Sequence, residues 1–153
     1  MQGSCKAHSR TTDAMDAATL QQRRDDVIAE HIAAECAHDV DRALNTFSVP
    51  HYHVHPLALD APGADNVRGL LAAVFQAFPD FAFVPTATYH ATDTVIVEGR
   101  ITGTHGGTWA EIPATGSHVD VPTCCLYHFD QDRLYSETVY FDHATMLAQI
   151  AAR

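Results

Sequence analysis

Positive charge is scarce in this chain. Nine Lys and Arg stand against 19 Asp and Glu, a formal net charge of −10. Such a surface repels phosphate backbones and anionic lipid headgroups, so neither nucleic-acid nor membrane-surface binding is expected. Long apolar runs are missing too, and none approaches the roughly 18 residues of a membrane span. The opening stretch MQGSCKAHSRTTDAMDAATLQQ has no apolar middle segment of the secretory kind. Cysteine is sparse: Cys5, Cys36, Cys124 and Cys125 include no CxxC pair. That spacing argues against a disulfide framework and against structural zinc. Free thiols in a cytoplasmic protein are the expectation.

What is present suits one globular domain. The chain has 153 residues, 46% hydrophobic and 18% charged. That length buries a sizeable core without staples. Residues 1–22 read as a polar tail or a short extra helix, and residues 23–153 as a single domain.

Helical periodicity opens that domain. DDVIAEHIAAECAH places Val27, Ile28, Ile32 and Cys36 on one stripe, with His31 beside it. Asp39 can cap a short second helix, VDRALNTF. The hexapeptide HYHVHP (51–56) follows as a short strand, and LALDAPG as a loop. A third helix is expected over about residues 64–78, ended by Pro79. The period then changes to two. FAFVPTATYH, DTVIVEGRITGTH, SHVDVPTCCLYHFD and RLYSETVYF read as four strands. ATD and DQD turn the first and last pairs, and GGTWAEIPATG is a longer loop between the middle pair. HATMLAQIAA closes the chain as a helix. Helices segregated from antiparallel strands predict an α+β fold, one curved sheet wrapped around helices.

The hexapeptide is the unusual feature. Alternation places His51, His53 and His55 on one face and Tyr52 and Val54 on the other. A metal site made of the three imidazoles is disfavoured, because their ends span about 13 Å along a strand. Two of them with His31 could still converge. Pro56 biases His55 to an extended backbone.

The segments GTHGG (103–107), PATG (113–116) and YHFDQDRLYSETVYFD (127–142), followed by a final helix, resemble the SnoaL-like polyketide cyclase family. The resemblance runs from about Arg24 to Ala151. It implies a cone of the nuclear-transport-factor-like kind, with an internal apolar pocket and dimerisation through the exposed sheet face. In the related ketosteroid isomerase pattern, an overlay ungapped through the N-terminal half puts the helix-one tyrosine on His31 and the catalytic base on His55, and the second oxyanion donor falls on Cys125. In the better-known cyclases the catalytic aspartate falls on Val139 here, and its histidine partner on Cys125. Asp142 matches the aspartate that opens the last helix.

These positions set the expected site. His55 is the expected general base, since an imidazole titrates near neutrality. His31, Asp142 and Tyr127 are the expected donors or orienting groups. Tyr127 shares strand parity with Cys125 and Thr123, and Asp142 can equally serve as a helix N-cap. His53, Trp109, Cys125 and His105 are expected to line or frame the pocket, His105 by pinning the loop after it. Glu98 and Glu137 read as solvated or interface carboxylates. The expected activity is cofactor-independent proton transfer (cyclisation, isomerisation or dehydration) on a small hydrophobic carbonyl compound, polyketide-like in kind. The alternative is a non-catalytic binding module for a lipophile.

Overall fold

The chain's architecture was obtained as a computed structural model, and residues 16–152 are described. Cys5 and residues 1–15 of the expected tail lie outside them. The remainder of that tail, residues 17–22, is helical. Asp16 accepts hydrogen bonds from the amides of Ala18 and Thr19 and so caps α1, Ala17–Cys36. This helix starts eight residues before the periodicity suggests, because its buried face is half polar. Arg24, Ile28, His31 and Glu35 lie on that face, at the spacings that stack residues along one side of a helix. Cys36 is exposed rather than on the stripe.

Arg24 explains how a charged residue survives there. Its Nε donates to the Gln131 carbonyl at 2.7 Å and its Nη1 to the Thr92 carbonyl at 3.0 Å. The guanidinium also lies over the Phe129 ring, 5.2 Å from its centre. One side chain thus ties α1 to both strand turns that lie near residues 92 and 131, and fixes the height of His31 and Glu35 over the sheet.

The rest follows the alternation of the sequence. Asp39 caps α2, Val40–Leu44. Strand β1, His51–Val54, ends earlier than the hexapeptide, because His55–Leu57 forms a 3-10 turn. Ala58 then takes a left-handed conformation, and β2, Leu59–Pro62, returns antiparallel to β1 where a loop was expected. Helix α3, Ala64–Ala77, strands β3 (Ala82–His90), β4 (Thr94–Thr104), β5 (His118–Asp130) and β6 (Arg133–Phe141), and helix α4 (His143–Ala151) complete the chain. The six strands form one sheet in the order β2-β1-β6-β5-β4-β3. All neighbours are antiparallel except β1 and β6.

GTHGG joins the sheet to α3. The amides of Gly106 and Gly107 both donate to the Ala77 carbonyl, at 2.9 and 3.1 Å, closing the C-terminus of α3. A Cβ on Gly107 would stand 2.2 Å from the Gln76 carbonyl oxygen, so only glycine fits this approach. The core is one continuous cluster between the sheet and the helices.

Candidate active site

One irregularity decides what faces that core. Phe129 pairs with Leu134 and His128 with Ser136, so β6 carries an extra residue at Tyr135. Without the bulge, the inward Leu134 would send Ser136 and Thr138 inward and Glu137 to solvent. With it, Glu137, Val139 and Phe141 turn to the cavity. Glu137 is opposite Tyr127 on β5 and opposite Tyr52 on β1. Tyr52, Glu137 and Tyr127 therefore form one row across three strands. His31 and Glu35, one turn apart on α1, meet this row from the other side.

The resulting cluster is buried, with His31 at 0% exposure and Glu137 at 2%. His31 Nε2 lies 2.7 Å from the Tyr52 hydroxyl, 3.1 Å from Glu137 Oε2 and 3.4 Å from Glu35 Oε1. Tyr52 donates its hydroxyl proton to Glu35 at 2.6 Å. Thr46 donates its own to the Ala43 carbonyl at 2.7 Å, so its oxygen accepts the Nδ1–H of His31 at 2.8 Å. With both hydroxyl protons so placed, both ring nitrogens of His31 act as donors, the arrangement of an imidazolium. Electrostatics agree. Burial alone would lower its pKa, but the charges and hydrogen bonds of Glu35 and Glu137 raise it to about 10. Burial pushes the Glu35 carboxyl up, but the His31 charge and the Tyr52 hydrogen bond win and hold it below its ordinary value.

The cluster closes the polar end of an apolar cavity. Leu70, Leu71, Val74, Phe83, Ile101 and Met146 are among its walls, with Glu35, Tyr52, Glu137, Tyr127 and Cys125 at one end. Its free volume is about 80 Å³, several times what one water needs. The Tyr127 hydroxyl and the Trp109 indole N–H are buried and have no partner among the described residues. Burial and the neighbouring Glu137 push the Tyr127 pKa well above its ordinary value. It stays protonated and remains a donor.

The structure redistributes the expected roles. His55 is exposed and stacks on Tyr140, ring centres 4.6 Å apart, so it is off the cavity wall. The inward face of the hexapeptide is the opposite of the expected one: Tyr52 and Val54 line the cavity, and His53 points outward to Asp60. His31 is central, yet it stands behind Glu35, Tyr52 and Glu137 rather than on the wall. Tyr127, Cys125 and Trp109 line the cavity. The Cys125 thiol is pushed well above its ordinary pKa by burial and by Glu137, so it stays protonated. His105 does not reach the cavity; its Nδ1 meets Thr115 at 3.0 Å and holds the PATG loop. Asp142 caps α4 by accepting from the Thr145 amide at 2.9 Å and is exposed. Sequence reasoning misses Glu35 and Tyr52 as site residues, and Glu137 is buried on the cavity wall rather than solvated or at an interface. The i,i+4 spacing of His31 and Glu35 was the available signal for the first. The bulge hid the third.

A curved sheet closed by helices over a pocket with a titratable end defines a cone-shaped α+β pocket protein, with the fold of the nuclear-transport-factor-like and ketosteroid isomerase-like kind. The model of the SnoaL-like polyketide cyclase family matches residues 26–150, and the chain belongs to that family. Solved structures agree in fold. A candidate SnoaL-like polyketide cyclase from Jannaschia sp. CCS1 is 18% identical, with a TM-score of 0.78 over 92% of this chain and 99% of that one. IdmH, a candidate polyketide cyclase from Streptomyces antibioticus, is 23% identical, with a TM-score of 0.70 over 84% and 99%. AclR, a candidate hydroxylase from Streptomyces galilaeus, is 19% identical, with a TM-score of 0.73 over 84% and 81%. No curated protein matches the chain in sequence. Among the described residues no helix is long and apolar enough to cross a membrane.

Proposed function

We propose that this protein is a cofactor-independent acid–base enzyme acting on a small hydrophobic carbonyl compound of polyketide-like kind, with Glu137 as the base. The reading rests on one juxtaposition. A buried carboxylate and a buried phenol, unpartnered among the described residues, are cross-strand neighbours on the wall of an apolar cavity. Such neighbours have Cβ atoms about 4.5–5.5 Å apart, so one ligand carbonyl can meet both.

The family's acid position, Val139, is two residues further along the same strand face, about 6–7 Å away. Glu137 takes a proton from the carbon next to the carbonyl. The C–H electron pair shifts to form the enolate, and the Tyr127 O–H donates a hydrogen bond to the enolate oxygen. Reprotonation at another carbon gives isomerisation, expulsion of a β-hydroxyl gives dehydration, and attack on a second carbonyl closes a ring. His31 is a positioning residue: its charge holds the carboxylates in place without touching the ligand. Trp109 offers a second donor for a second oxygen.

The test is solvent exchange. Wild-type protein is incubated in D₂O with a panel of small cyclic and aromatic ketones, and α-deuterium incorporation is followed by NMR. Glu137→Gln should slow exchange by roughly 10²–10⁴-fold while ligand binding persists. Unchanged exchange in that variant removes Glu137 as the base. Ligand binding in the wild type without exchange of any ketone assigns the protein to the lipophile-binding alternative.

A further inference from the structure

The strand period that sends Tyr52 and Val54 into the cavity sends His51 and His53 outward. They do not stand alone there. β2 runs antiparallel beside β1 and places Asp60 directly opposite His53. Asp60 Oδ1 lies 2.5 Å from His51 Nε2 and 2.9 Å from His53 Nδ1. The two rings are 4.0 Å apart and tilted by 39°. One nitrogen from each and one carboxylate oxygen all fall within 4.8 Å of one another. His55, the third imidazole of the hexapeptide, has left the strand and stacks on Tyr140, so Asp60 takes its place in the cluster.

One carboxylate oxygen can accept from both imidazoles, and the same convergence of two nitrogens and an oxygen also suits a shared cation. Bonds of about 2.0–2.2 Å to nitrogen and oxygen hold neighbouring ligands of a tetrahedral ion about 3.3–3.6 Å apart. The observed separations reach that spacing when Asp60, whose side chain is 62% exposed and free to turn, swings back by about 0.5–1 Å. Two imidazoles and one carboxylate, with solvent completing the shell, suit Zn²⁺ and reject Ca²⁺ and Mg²⁺, which take oxygen. We infer that His51, His53 and Asp60 form a surface binding site for Zn²⁺ that ties β2, the edge strand, to β1. The strand so tied is the one that carries Tyr52 to the cavity. This site stands on its own residues and is independent of the function proposed above.

The experiment titrates ZnCl₂ into the full chain made without a histidine tag, followed by calorimetry and by thermal unfolding. One ion per chain is expected to bind, raising the melting temperature. Asp60→Asn and His53→Ala should each weaken binding by more than about tenfold, since even a residue behind a ligand is worth roughly 10–100-fold. The rise in melting temperature should disappear with it. His118→Ala, on a different strand, should leave the isotherm unchanged. All three positions are on the surface, so circular dichroism should show the wild-type fold in each variant, and His51→Ala gives a further independent reading. No saturable binding to the wild type, or the same isotherm in Asp60→Asn and His53→Ala, overturns the inference.

Discussion

Replacing His31 with glutamine removes the one cation between two buried carboxylates. The magnitude follows from the site. A folded pKa of about 10 against an ordinary value of 6.5 corresponds to about 5 kcal/mol. Removing one partner of a buried ion pair costs roughly 3–5 kcal/mol, the same order. The lowered Glu35 pKa is the same attraction seen from the other partner, and the two do not add. The pH dependence has a definite sign. Between pH 6.5 and about 10 the folded state keeps the His31 proton and the unfolded state has lost it. Stability from this group is complete below pH 6.5, and is lost as pH rises toward 10, by about 1.4 kcal/mol per unit. Urea unfolding at pH 7, 8 and 9 should therefore show the wild type declining toward His31→Gln. Parallel curves for the two proteins would refute the imidazolium. The wild type alone supplies a second check, because both ring nitrogens should appear protonated by ¹⁵N NMR at pH 8. A neutral ring there refutes the argument even if the glutamine variant fails to fold.

Tyr127→Phe should raise stability by about 1 kcal/mol or more, since it removes a buried unpartnered hydroxyl. Ketone exchange should fall roughly 10²–10³-fold in the same variant; lost stability with unchanged exchange would mark a structural role. His55→Ala should change neither exchange nor stability beyond about 0.5 kcal/mol, as expected of an exposed side chain. A large loss of exchange would restore His55 to the chemistry. Gly107→Ala drives a Cβ into the Gln76 carbonyl and should cost about 1–3 kcal/mol by thermal unfolding. Trp109, two residues on, should be displaced with it, raising KM more than it lowers kcat.

Much of the fold was legible along the chain. α3 and the four long strands lie within a residue or so of the alternation and proline signals. Those signals are local, so tertiary packing had little to overrule. Helix α1 was half visible, because its inward residues Arg24, His31 and Glu35 are polar and satisfied only by distant partners. The site was legible in its β5 wall, Cys125 and Tyr127, where parity runs unbroken from Thr123 to Phe129.

By itself, the sequence determined the kind of fold, the family, and a chain rich in histidine and poor in positive charge. Periodicity, end signals and motif spacing are carried by near neighbours. Which face of HYHVHP looks inward depended on β1 lying parallel to β6. Which carboxylate reaches the cavity depended on one extra residue at Tyr135. A strand shows two equivalent faces until its neighbours choose one, and a one-residue slip reverses that choice for every residue beyond it.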